Sequence, residues 1–288
     1  MLCASTRVVN AGAWGYLSGR GNDRQEELAM KTPRNENETP SDTQALCDPE
    51  TGACALPGAA QKSVESSTEE LVGEVLYVGD PMCSWCWGGS PGLRQLEAEA
   101  NRRGIPFRIR VGGLRAGGGD PWSERFKGFL RHHWEEIAAR TGQPFSTRFL
   151  DRAAFNYDTE PACRAFLVMR GMLAEMPGPE TRAYEVFAAI QRKFYAEGED
   201  PTVAPFYESI CAAHGLDFRV FLNRFDHADA KRATANEFQE VRALGVSGFP
   251  TVLFRGGSGV EVLASGFATG PRMVEALAQA TKRAGGEA

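Results

Sequence analysis

Two thiols stand one helical turn apart in Asp80-Pro81-Met82-Cys83-Ser84-Trp85-Cys86-Trp87-Gly88, a spacing suited to thiol–disulfide exchange. The segment follows the apolar run Glu74-Val75-Leu76-Tyr77-Val78 and precedes a helical pattern that ends near Arg103. With that run as a strand, Cys83 falls where the sheet ends and the next helix begins. Unpaired N–H groups and the helix dipole favour negative charge there, so Cys83 is expected to ionise more readily than a free cysteine and to be the exposed nucleophile. Cys86, a turn further in, is expected to be the buried thiol that attacks a mixed disulfide on Cys83 and releases the partner.

A Cys-x-x-Cys is also half of a tetrahedral zinc site, which needs two more ligands. Cys47 and Cys54, in Cys47-Asp48-Pro49-Glu50-Thr51-Gly52-Ala53-Cys54, are the one candidate pair, but their spacing is wider than structural zinc pairs normally use. The residues between them are turn formers, with proline early and glycine late, so the two sulfurs can approach each other. Tethered close to the active-site segment, they are a candidate second redox pair that exchanges with Cys83 and Cys86. The plain alternative is two ordinary cysteines in an unstructured tail.

Composition bounds the class. The chain has 288 residues, a hydrophobic fraction of 42%, a net charge of −5 and seven cysteines. That balance argues against a nucleic-acid binder, and no apolar run approaches the roughly 20 residues needed to span a bilayer. The cysteines are too few and irregular for a disulfide scaffold, which points to a reducing compartment with one specialised pair. Asn10, Gly12, Gly15 and Gly19 interrupt the only apolar stretch near the start, so no export signal is expected; Met30 is an alternative start. From Arg34 to Glu70 eight acidic residues face two basic ones, and no aromatic residue lies between Leu17 and Leu76. Such a stretch buries too little apolar surface to offset its ordering entropy, so residues 1–70 read as a disordered acidic tail.

The elements that must position the thiols follow in a clear order. After the first strand and its helix, Pro106-Phe107-Arg108-Ile109-Arg110-Val111 alternates and is closed by glycines, a second strand. Strand, helix, strand implies a parallel pair with a right-handed crossover. Apolar residues at spacings of three and four then predict helices over Trp122–Thr141, Glu160–Met176, Glu180–Ala196, Thr202–His214, Phe218–Arg224 and Ala228–Leu244. Strands return at Thr251–Arg255 and Val260–Ala264, joined by a glycine turn, and a helix over Pro271–Arg283 closes the chain. The fold class is α/β: a thioredoxin-like core (βαβ…ββα) over 71–119 and 245–288, interrupted by an all-helical domain over 120–244.

Three passages give this pattern a family resemblance. Asp80–Gly88 resembles the active-site segment of the DsbA family of thiol–disulfide oxidoreductases, closest to its FrnE-like subgroup. Tyr157-Asp158-Thr159-Glu160-Pro161 resembles a signature in that subgroup's helical domain, and Gly245-Val246-Ser247-Gly248-Phe249-Pro250-Thr251 resembles its cis-proline loop. The resemblance implies a cis Pro250 beside the Cys83 sulfur and a Phe249 backbone available to an extended peptide substrate. DsbA itself carries Pro-His between its cysteines, where this chain has Ser84-Trp85. Lacking that histidine, Cys83 should be less acidic than in a strong oxidant, which favours an isomerase or reductase over a pure oxidase.

The expected activity is therefore a cytoplasmic thiol–disulfide oxidoreductase or isomerase acting on protein or small dithiol substrates, with an unknown reducing partner, no cofactor, no metal, no nucleic acid and no membrane. Cys83, Cys86 and Pro250 are its catalytic set, with Trp85 as an exposed substrate platform and Phe249 as substrate-binding backbone. The alternatives are a glutathione-dependent isomerase related to 2-hydroxychromene-2-carboxylate isomerases and a zinc-binding interaction protein using Cys47, Cys54, Cys83 and Cys86. Cys163 and Cys211 read as small buried hydrophobes. His132 and His133 point to different helix faces, Trp87 reads as core, and Asp80 either takes part in proton transfer or caps a helix.

Overall fold

The computed structural model describes residues 47–55, 73–177, 182–257 and 259–285. These residues fall in one compact unit. The tail reading of residues 1–46 and 56–70 lies outside them.

β3 (Glu74–Gly79) is the apolar run before the cysteines, buried along nearly its whole length as expected for a central strand. It pairs in parallel with β4 (Phe107–Val111), Tyr77 opposite Ile109, and antiparallel with β6 (Thr251–Gly256), Tyr77 opposite Val252. β7 (Gly259–Ser265) pairs antiparallel with β6 and completes a four-stranded sheet in the order β4-β3-β6-β7. The crossover between β3 and β4 is made by α1 (Ser84–Gly88) and α2 (Ser90–Arg102), broken at Gly89 with Pro91 in the first turn of the second piece. α9 (Gly270–Ala284) packs against α2 on the same side, so βαβ and ββα share one core.

Between β4 and β6 lie α3 (Glu124–Thr141), α4 (Glu160–Ala174), α5 (Arg182–Tyr195), α6 (Glu208–Ala213), α7 (Phe218–Asp226) and α8 (Ala228–Ala243). α3 begins at Ser123, whose hydroxyl accepts from the Phe126 N–H, and α7 begins at Asp217, which accepts from Arg219 and Val220. The predicted single helix over Thr202–His214 is instead a 3-10 turn, Ala204–Tyr207, followed by α6. Pro205 explains the split, because it fits a first turn but cannot donate to a longer helix.

One ion cluster ties this helical layer to the sheet. Glu237 of α8 is almost fully buried; it accepts from the Val111 N–H of β4 at 2.9 Å, from Arg110 at 3.0 Å and from Arg170 of α4 at 2.6 Å. Arg170 also donates to the Ile109 carbonyl at 2.7 Å.

The tail reading fails for residues 47–55. β1 (Cys47–Asp48) and β2 (Ala53–Ala55) form a hairpin, with Cys47 opposite Cys54, and β2 pairs antiparallel with β5 (Gly248–Phe249). The Asp48 side chain accepts from Glu50 N and both the N–H and hydroxyl of Thr51, and Gly52 takes the left-handed conformation that closes the turn. Composition missed this because the hairpin has no large apolar side chain of its own and is held by backbone pairing to a strand nearly two hundred residues away.

Glu237→Ala should lower stability by about 3 kcal/mol, since it strips two arginines and a strand N–H of their shared acceptor. Urea unfolding followed by circular dichroism should give an earlier midpoint with an unchanged slope.

Candidate active site

Cys83 is the residue immediately before α1, and its sulfur lies 3.8 Å from the Phe249 carbonyl oxygen. The Phe249–Pro250 peptide is cis. The structure therefore brings together Cys83, Cys86, Phe249 and Pro250, as the resemblance implies. The Phe249 ring packs on Gly112, where any Cβ would overlap it, so this glycine is required for close approach rather than for its turn.

The cysteine loop is fastened from below. The Met82 carbonyl, one residue before Cys83, accepts from Tyr195 Oη at 2.5 Å and from Tyr157 Oη at 3.0 Å. Asp80 is fully buried and accepts from Met82 N at 2.8 Å and Leu114 N at 2.7 Å, while the Cys163 thiol points at it from 3.5 Å. Asp80 thus holds the loop rather than capping the helix, a position Cys83 takes. Cys163 is a weak donor to this acid and not only a packed hydrophobe. The Tyr157–Pro161 signature acquires a physical meaning here: Tyr157 reaches the cysteine loop, Asp158 accepts from Gly117 N, and Thr159 exchanges hydrogen bonds with the Arg115 backbone. It pins the glycine-rich 112–119 segment beside the site.

The expectation of an exposed, readily ionised Cys83 does not hold in this conformation. Cys83 and Cys86 are both free thiols, 0% and 1% exposed. Burial pushes the Cys83 thiol well above its ordinary range, reinforced by its contact with the Cys86 thiol and by the nearby Asp80 charge; the Cys86 backbone N–H opposes this but loses. Burial likewise raises the Asp80 carboxyl. Tyr77 was not foreseen: its hydroxyl, otherwise without a hydrogen-bond partner, faces the Cys86 sulfur. Tyr77 sits in the middle of an apolar strand, where sequence gives no sign of a role.

Trp85 also departs from expectation. It is 1% exposed, with its ring 5.6 Å from that of Phe267, 6.1 Å from that of His133 and 5.3 Å from the Arg140 guanidinium. The hairpin covers it: Thr51 and Gly52 carbonyls accept from Phe267 N, and Arg140 donates to the Pro49 carbonyl at 2.7 Å. Trp87 is core, as read, stacked 6.5 Å from Tyr195 with its N–H on the Pro144 carbonyl. Phe249 offers backbone to a strand, but that strand is the chain's own β2.

Cys47 and Cys54 are joined in a disulfide. The four thiols of the zinc alternative are not gathered: the third donor near Cys47 and Cys54 is His133 of α3. His133 and His132 do face opposite ways, 5% exposed against a solvent-facing side chain. His133 belongs to the apolar stripe Phe126, Leu130, Trp134 and Ile137, a pattern that could have marked it as inward-facing. Cys211 is buried and its thiol is pushed up to about 11 by burial, an inert site as read. A cavity of about 1050 Å³ between β4, α4 and α7 is lined by none of the thiols.

A two-thiol loop at the end of a central strand, facing a cis proline, defines a thioredoxin-like dithiol enzyme. Residues 74–282 match the model of the DSBA-like thioredoxin domain, and the chain belongs to that family. A Nitrosomonas europaea structure described as a candidate protein disulfide isomerase is similar over 73% of this chain and 98% of its own, at 28% identity and a TM-score of 0.63. The cytosolic disulfide reductase DsbM of Pseudomonas aeruginosa is similar over 73% of this chain and 98% of its own, at 27% identity and a TM-score of 0.58. The ClpXP adapter protein SpxH of Halalkalibacterium halodurans is 25% identical over 74% of this chain and 68% of its own. The protein is accordingly a disulfide oxidoreductase or isomerase of DsbA type. No helix among the described residues is long and apolar enough to cross a membrane.

Tyr157→Phe and Tyr195→Phe should each cost about 0.5–1.5 kcal/mol, because the Met82 carbonyl keeps its other donor. The double variant should lose more than the two together, by about 1–3 kcal/mol, as a buried carbonyl is then left unpaired. A double-mutant cycle by denaturant unfolding measures the difference.

Proposed function

We propose that this enzyme reduces or rearranges disulfides through a mixed disulfide on Cys83, with Cys86 as the resolving thiol, in the cytoplasm. The observation that carries the reading is the Cys83 sulfur set against the carbonyl of Phe249, on a short strand edge next to Pro250. A substrate strand pairing with that edge would bring its disulfide onto Cys83, so backbone hydrogen bonds supply affinity without demanding a particular sequence. Cys83 attacks one substrate sulfur, the other leaves as a thiolate, and Cys86 then attacks Cys83 to free the substrate dithiol. The thioredoxin-like part spans 71–119 and 245–288, and the helical insert 120–244 holds the cysteine loop through Tyr157 and Tyr195.

Reductase or isomerase direction fits better than oxidase. Ser84-Trp85 places no cation between the cysteines, and the buried Asp80 charge disfavours the Cys83 thiolate, so the reduced pair is weakly stabilised and gives up electrons readily. The likeness to a cytosolic disulfide reductase, seen also in its complex with GSH at 27% identity and a TM-score of 0.56, supports glutathione or a similar small thiol as reductant. The finer placement in the FrnE-like subgroup rests on the three sequence passages.

Cys86→Ser should accumulate mixed disulfides with protein and small-thiol partners, and Cys83→Ser should trap none while losing turnover of a disulfide substrate. Non-reducing electrophoresis and mass mapping after acid quench would read this. Equal trapping by Cys83→Ser would defeat the assignment of roles, and trapping by neither would defeat the reading.

A further inference from the structure

The Cys47–Cys54 hairpin is the one feature at the site that the proposed chemistry leaves idle. It occupies the edge a substrate would use: Cys54 is directly paired with Phe249, the residue whose carbonyl touches the Cys83 sulfur. Cys54 is 0% exposed. A peptide entering by strand addition cannot pair with β5 until β2 leaves. The segment in the substrate's place is, moreover, itself a closed disulfide.

We infer that the Cys47–Cys54 disulfide is an internal substrate of Cys83, so that the hairpin is a second redox centre docked in the substrate position. The inference rests on the exchange chemistry proposed above. In a reducing compartment, disulfides that persist are generally catalytic or redox-sensing rather than structural. This one spans so short a loop that it constrains little of the unfolded chain, and the turn within it is already closed by Asp48 and Gly52.

His133 supplies the second observation. A ring nitrogen of His133 lies within 4.8 Å of both hairpin sulfurs, and its buried Nε2 has no hydrogen-bond partner. A buried polar atom without a partner calls for a reason. The oxidised pair offers the ring no donor, whereas opening the disulfide creates thiols beside the ring. His133 is thus matched to the reduced hairpin, and burial keeps its ring neutral and able to accept.

The transfer balances within the chain. The Cys83 thiolate attacks Cys54, forming the Cys83–Cys54 bond and breaking Cys54–Cys47; the Cys47 sulfur leaves with the electron pair and takes a proton. The Cys86 thiolate then attacks Cys83, forming the Cys83–Cys86 disulfide and releasing Cys54, which takes the second proton. Two electrons and two protons pass from the Cys83/Cys86 dithiol to the hairpin, and no outside oxidant takes part.

The test uses the full chain carrying Cys86→Ser, prepared with Cys47–Cys54 closed, incubated undenatured, acid-quenched and blocked with N-ethylmaleimide. Trypsin followed by cleavage at Glu50 separates Cys47 from Cys54. The expected result is a peptide linking Cys83 to Cys54, with Cys47 blocked, in a yield independent of protein concentration. An intact Cys47–Cys54 bond beside a blocked Cys83, a link through Cys47 alone, or a yield that rises with concentration would each overturn the inference. A parallel arm with oxidised glutathione separates the two failures: glutathionylation of Cys83 without any hairpin link sinks only the internal substrate, while no reaction in either arm sinks the exchange chemistry itself. As a second measurement, fully oxidised wild type given one equivalent of dithiol should share its one reduced pair between both couples, and confinement of that pair to Cys83 and Cys86 would overturn the inference.

Discussion

A two-residue strand edge governs the site. Gly248–Phe249 and the cis bond to Pro250 hold one carbonyl against the Cys83 sulfur, and the same two residues present backbone for another strand to join. Strand pairing is directional and indifferent to side chains, so whatever pairs there is delivered to the sulfur in one register. In this structure the partner is β2, whose hairpin also roofs over Trp85. Both thiols beside that edge are buried, and burial holds Cys83 protonated.

Keeping the sulfur opposite that edge is the work of the helical insert. Tyr157 and Tyr195 converge on one carbonyl beside Cys83, backed by an aromatic cluster in which Trp134, Phe145 and Phe194 surround Tyr195. Asp80 binds the loop from the other end through two backbone N–H groups. A carboxylate buried there makes the thiolate harder to form, so the same residue that fixes the geometry also holds the Cys83 thiol up.

Most of the core was legible in the sequence because its signals are local. β3, β4, β6 and β7 announce themselves by apolar runs and alternation, the helices by spacings of three and four, and the cysteine pair by its place between strand and helix. The hairpin was half legible. Asp48-Pro49-Glu50-Thr51-Gly52 spells a turn able to bring Cys47 and Cys54 together, and it does. Its docking was invisible, since pairing of Cys54 with Phe249 depends on backbone groups that carry no compositional signature. That omission accounts for the misplaced exposure of Trp85, and for leaving His133 and Arg140 without a role, which they have only once the hairpin lies on them.

The most direct measurement of the account is the oxidation state of Cys83 and Cys86 across a series of glutathione redox buffers, quenched in acid and read by differential alkylation and mass mapping. The account predicts that both thiols disappear together as the buffer becomes more oxidising, joined to each other in a single two-electron transition. Cys83 carrying glutathione over the whole range while Cys86 stays a free thiol, or no oxidation of either, would contradict it.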